Sequence, residues 1–394
     1  MQSSIIKIAV SILLFLLIGC KSSIEATDYF GQNYPDSIPI IFAPGIVSME
    51  GRLEHGISFT PDTRELAFGV LNKDNFNGEI FYSKKISTKW TEPSVFEPLR
   101  NKSVYLPYFS PDGTSILYAQ SKVEKENVYT DIWMLEKING AWSSPKLVPA
   151  PISSSSREAN ASMTYNGTMY FSSTRRCDGK KDCYTADLFC SKLNNNQYQS
   201  ASVIPELISP NDEESVFISP KEDYIVFCRY TGEETGVDLY ISYRDINDKW
   251  TEPRIADSTI NSTDWDRRPF VSIDNNFLFF TRLKIEASGI AESDIYWVNT
   301  GKLFKPFVYH PLSDIKLQQG KHFEIFVPHD YFKNIDSSRL IYSVNVGQSE
   351  WIKFDSEQMK ISGVASAKGD YEITLTATDR FANRTNHKLK LIVD

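Results

Sequence analysis

"YLPYFSPDGTSILYAQ", residues 105–120, decides how this chain is read. An alternating aromatic segment runs into Ser110-Pro111-Asp112-Gly113, and a second apolar segment follows. A serine and a carboxylate on a glycine turn have the composition of a catalytic corner. They also have the composition of a hairpin bend: proline presets φ, aspartate bonds the local backbone, and glycine accepts a positive φ.

Recurrence separates the two readings. "HGISFTPDTRELAFGV" (55–70), "NASMTYNGTMYFSS" (160–173), "SVFISPKEDYIVFCRY" (215–230) and "RPFVSIDNNFLFFTR" (268–282) share the layout. Their equivalent anchors Phe59, Phe109, Met163, Ile218 and Val271 repeat at about 53 residues. Each unit continues with a segment of the Asp131-Ile132-Trp133 type, and three close on Trp-x-x-Pro (Trp90, Trp142, Trp250). A group repeated in every unit is spread around the molecule, whereas an active site is usually asymmetric. Asp112 is therefore read as a turn residue.

Three or four short strands per unit at this period predict an all-β fold: a β-propeller, five blades with a degenerate sixth left open. "IPIIFAPGIVS" (38–48) has the pattern of an outer strand lying before the first full unit. It is expected to complete the last blade and so cover two sheet edges. The units resemble the WD40-like repeats of TolB-type propellers. The propeller domain is placed at 38–308, within which the resemblance itself covers roughly 38–300; it implies a fold and is silent about function.

The N-terminus, "MQSSIIKIAVSILLFLLIGCKSS", has an apolar run suited to export and short for a membrane span. Its ending resembles a bacterial lipobox. That resemblance implies a signal peptide over 1–19, acylation of Cys20, a tether over 20–37, and a lipid-anchored protein of the bacterial cell envelope, outer membrane included. Export would permit a disulfide between Cys177 and Cys183, which bracket the polar loop "CDGKKDC".

Residues 309–394 carry 11 basic and 11 acidic side chains, so the net charge of −8 belongs to the preceding chain. That excess argues against a nucleic-acid partner. Alternating segments such as "YEITLTATD" predict an antiparallel sandwich of about seven strands. The spacing around Trp351 and Ala377-Thr378-Asp379 resembles dystroglycan-type cadherin-like or immunoglobulin-like modules of bacterial surface proteins. Cadherin relatives bind Ca²⁺, which makes Asp336 and Asp379 candidate metal ligands, although the dense acidic set of a tight site is missing.

Outside the turns, one acid column stands out. Five positions before the anchors lie Glu54, Glu158, Glu213 and Asp266, with Val104 breaking the series. On the innermost strand these acids would gather at the channel and hold a cation; alternatively, each caps backbone or pairs with an arginine. No nucleophile–base pair, phosphate loop or paired-His motif is present, and His55 is the only histidine before residue 310. The sequence thus predicts a non-enzymatic scaffold binding an envelope protein or a glycan. A carbohydrate-active enzyme at the propeller axis, or Ca²⁺-dependent adhesion through the C-terminal module, are the alternatives. An asymmetric axial cluster of unlike acids with Arg or Tyr would favour the enzyme, so attention belongs where the repeats disagree.

Overall fold

The computed structural model describes residues 28–394 apart from 125–126, 178–184, 233–235 and 288. Five antiparallel units follow one another in chain order. Their first strands are Leu53–Phe59, Val104–Phe109, Glu158–Met163, Glu213–Ile218 and Trp265–Val271. Each pairs with a second strand (Glu65–Leu71, Ser115–Glu124, Met169–Ser173, Tyr224–Gly232, Phe277–Glu286), and that with a third. Each first strand also contacts the first strand of the next unit, and the fifth contacts the first. The arrangement is propeller-like, with the five first strands innermost.

The N-terminal segment closes the ring. Ile40–Ile41 pairs antiparallel with the third strand of unit five, Ile40 opposite Trp297, and so becomes that unit's outer strand. Leu53 meets Ser293 in parallel, so units one and five share a sheet. Residues 28–37 do not behave as a free tether. Tyr29 is buried against Phe59 and Trp297, with ring centroids 5.3 Å away in each case. The Gln32 side chain bonds both Ile41 and Ala43 backbone.

The turns follow the chemistry read from the sequence. Ser110 Oγ donates to Asp112 Oδ1 at 2.5 Å, and that oxygen also accepts Thr114 N–H at 3.0 Å. Gly113 takes φ 71°, which a side chain would strain. Thr60–Asp62, Thr164–Asn166 and Ser272–Asp274 repeat the bond. Asp112 bends the chain and is spent in doing so.

Residues 309–394 form two facing sheets. One holds Ile315–Leu317, Arg384–Val393, Gly369–Thr378 and Ile341–Asn345; the other holds His322–Phe326, Lys360–Val364 and Ile352–Asp355. Inward residues including Phe323, Ile361, Ile373, Leu375, Leu389 and Leu391 make the core. Phe307–Val308 pairs with Phe332–Lys333, so the module begins slightly before residue 309. The ring and the sandwich are joined by a stack of Tyr243 on Phe307 at 4.3 Å, and Asn383 donates to Gly301 O at 2.8 Å.

Candidate binding site at the centre of the ring

The acid column is structural. Glu54, Glu158, Glu213 and Asp266 are all fully buried. Each accepts from its own arginine: Arg52 at 2.6 Å, Arg175 at 3.0 Å, Arg229 at 2.9 Å and Arg282 at 2.8 Å. Each arginine also donates to the carbonyl of a residue just upstream, namely Val47, Ile152, Leu207 and Ile260. The guanidiniums lie against paired rings of the second and third strands, such as Arg229 over Phe227 and Tyr240. The acids further cap backbone, as where Ser262 N–H donates to Asp266 at 2.7 Å. They are therefore latches tying each unit to its own entry loop, and they do not gather to hold a cation. Among the described residues no three His, Cys, Asp or Glu side chains are grouped as metal ligands.

The ring centre is made by the next two positions. Every first strand carries a β-bulge there, opening at His55, Tyr105, Ala159, Glu214 and Arg267. The bulged residues Gly56, Leu106, Asn160, Ser215 and Arg268 all have φ between 54° and 76°. For the four non-glycine residues this is an uncommon conformation, of the kind found where strain is tolerated for function. These five residues together line one central crevice. Room comes from small residues opposite on the second strands: Gly69, Ala119, Ser172, Cys228 and Thr281. A Cβ at Gly69 would lie 2.4 Å from His55 O.

The residue types at these positions differ from unit to unit, and they form one asymmetric network. Arg268, from unit five, crosses to Asn160 Oδ1 at 2.7 Å, to Ser215 Oγ and to His55 Nε2 at 3.2 Å. Arg267 donates to Glu214 Oε2 at 2.7 Å, and Arg157 bonds the other oxygen. Arg268 approaches the same carboxylate at 3.5 Å. Burial alone would raise the Glu214 pKa, but the three guanidiniums hold it well below the usual range. Asp212 accepts Ala186 N–H at 2.5 Å; burial, then Glu214, pushes its pKa up.

Positive charge exceeds negative in this network: Arg157, Arg267 and Arg268 face Glu214 and Asp212. Burial and Arg267 lower the Arg268 pKa to about 10. His55 is kept neutral by burial and by Arg268 and Arg267, which hold its pKa well down. Its Nε2 accepts from Arg268, so the proton sits on Nδ1, and that buried N–H has no acceptor among the described residues. Arg267 Nε is likewise buried, and the Cys228 thiol is the neighbour of that guanidinium. Sequence reasoning set His55 aside as isolated and missed the arginines.

Other expected residues are placed as follows. Asp336 pairs with Arg380 at 3.0 Å, while Asp379 is buried and accepts Phe381 N–H, Asn383 N–H and the Asn383 amide. Both acids line the cleft between ring and sandwich, yet each is committed to turn or ion-pair bonds rather than open to a metal. Cys177 is disulfide-bonded. Its expected partner Cys183 lies outside the described residues, as does Cys20. Cys190 and Cys228 are free thiols. Trp90 stacks on Phe30 at 4.8 Å, Trp142 packs on Phe96 at 5.6 Å and Trp250 on Tyr170 at 6.3 Å, so these three serve the ring. Trp265 is half-buried like Trp90 and Trp142 and also packs on the ring core, but its neighbours are Tyr230 at 5.9 Å and Arg267, a member of the central network, at 5.6 Å.

Comparison with known proteins bears chiefly on the C-terminal module. The family described as "Putative Ig domain" matches residues 305–394. No curated protein matches the chain. Among solved structures, a catalytic domain of a Coprinopsis cinerea GH62 alpha-L-arabinofuranosidase is similar at 10% identity and TM-score 0.43, covering 67% of this chain and 98% of that one. A Dyadobacter fermentans protein of unknown function is similar at 13% identity and TM-score 0.42, covering 66% and 96%. A Bacteroides fragilis "putative alpha-galactosidase" shows 24% identity and TM-score 0.19, covering 23% of this chain and only 18% of its own length. Likenesses this distant bring no function with them.

Proposed function

We propose that this chain is a lipid-anchored envelope protein whose five-bladed, TolB-like propeller binds an envelope protein or a glycan at the ring centre without transforming it. The observation that carries the reading is the hold of three guanidiniums on the Glu214 carboxylate. A glycosidase needs two carboxylates facing each other, one of them able to hold a proton near neutrality. Here Glu214 is fixed as an anion by three guanidiniums, and Asp212 is bonded to backbone. Arginine-rich, partly buried groups of this kind suit recognition.

The carbohydrate-active enzyme is the second reading, because the network is asymmetric, places two acids near three arginines, and holds Asp212 where burial and then Glu214 push its pKa up, toward a carboxyl that keeps its proton. Pull-down from crosslinked envelopes and a glycan array test the binding function, with release of reducing ends assayed on the same glycans. A retained partner without turnover supports it; turnover, or no partner in either screen, contradicts it. Replacing Cys20 by serine is expected to move the protein from the membrane to the soluble fraction.

A further inference from the structure

The network leaves a specific deficit. Three guanidiniums face two carboxylates, one of which also bonds backbone, and the buried His55 Nδ1–H has no acceptor among the described residues. Buried positive charge without a full complement of anions is costly, and a ligand anion removes that cost. Arg157 offers the way in, since its side chain is 34% exposed while its Glu214 partner is 6% exposed. The guanidinium fork matches a carboxylate in two-point geometry.

Trp265 narrows the ligand class. It occupies the position in unit five that Arg157 occupies in unit three, one residue before the acid column. Its indole is partly exposed and abuts Arg267. A flat aromatic surface beside a cation suits a sugar ring that carries a carboxylate; a bare phosphate would have no use for the indole. A peptide strand is disfavoured for another reason. Four of the five inner strands are edges of their own sheets, but each is only six or seven residues long and is broken by a β-bulge, features that blunt strand addition.

We propose that the mouth of the ring centre, where Arg157 and Arg267 flank Glu214, binds an acidic glycan, with Arg157 and Arg267 receiving a uronate carboxylate and Trp265 packing on the sugar face. This rests on the binding function proposed above and names its ligand class.

The test is titration calorimetry of the full-length protein in detergent with polygalacturonate. Fully methyl-esterified polygalacturonate supplies the same sugar without charge, and poly-glutamate supplies the charge without sugar. Polygalacturonate alone is expected to bind, and Arg157→Gln and Trp265→Ala are each expected to weaken it about tenfold or more. Both side chains are partly exposed, so these variants keep the test open if Arg267→Gln fails to fold. Equal binding of the methyl ester, binding of poly-glutamate that is indifferent to Trp265→Ala, or no polygalacturonate binding would each overturn the inference. An envelope protein captured by the wild type and lost from Arg157→Gln, without glycan binding, would overturn it and leave the binding function standing. Cleavage of polygalacturonate would do the reverse, supporting the ligand class and removing the non-enzymatic reading.

Discussion

Arg268 Nε donates to His55 Nε2 at 3.2 Å, joining the fifth repeat to the first through two side chains 213 residues apart in sequence. The bond fixes His55 as a neutral acceptor beside two arginines, and it has a consequence for stability. His55 is held well below the ordinary imidazole pKa, by burial first and then by Arg268 and Arg267. Below about pH 6.5 the unfolded chain takes up a proton that folded His55 refuses, so stability is present above that value and falls as the pH drops beneath it. Glu54 and Glu213, raised by burial to about 7, bias the slope the other way. Comparing wild type with His55→Asn cancels that bias. Urea unfolding from about pH 7 to pH 5 should show a flatter loss of stability in the variant; identical slopes would refute the neutral, buried assignment.

The latches predict a rescue. Glu213→Ala leaves Arg229 buried without its partner, which costs about 3–5 kcal/mol in comparable sites. Unit two shows the alternative, with Val104 opposite Gln120 where unit four has Glu213 opposite Arg229. The double replacement Glu213→Val with Arg229→Gln should recover most of the loss in denaturant melts. A double variant as unstable as the single one would mean that the pair does more than latch the loop.

Asp112 should tolerate asparagine and resist alanine. Asn166 holds the equivalent turn and accepts Thr168 N–H at 3.0 Å, as Asp112 accepts Thr114 N–H. Asp112→Asn is expected to melt near the wild type, and Asp112→Ala to lose about 1 kcal/mol, with ligand binding unchanged in both. A binding defect confined to these variants would return the turn to the list of functional residues.

What could be read from the sequence was what the repeats have in common. The turn at Asp112, the anchor Phe109 and the closing strand at Ile40–Ile41 recur or complete a recurrence, so periodicity exposes them. The site hides for the opposite reason. His55, Glu214 and Arg267 occupy one repeat position, and Gly56, Asn160, Ser215 and Arg268 the next, with a different chemistry in each unit. A place on the innermost strand makes the acid column look axial. The bulge one residue later resets the alternation and carries the following residues to the centre, while Glu213 turns to Arg229. Aligning the repeats on Phe59, Phe109, Met163, Ile218 and Val271 and seeking the column of greatest disagreement would have shown the site. The bulge that puts it there has no sequence mark when its residue is Leu106 or Arg268.

The most direct measurement is a crystal structure of the protein soaked with a short oligogalacturonate. The account predicts a uronate carboxylate within hydrogen-bonding distance of Arg157 and Arg267, a sugar ring against Trp265, and Glu214 still held by its arginines. Ligand found instead in the cleft beside Asp336 and Asp379, with the ring centre unchanged, would contradict it.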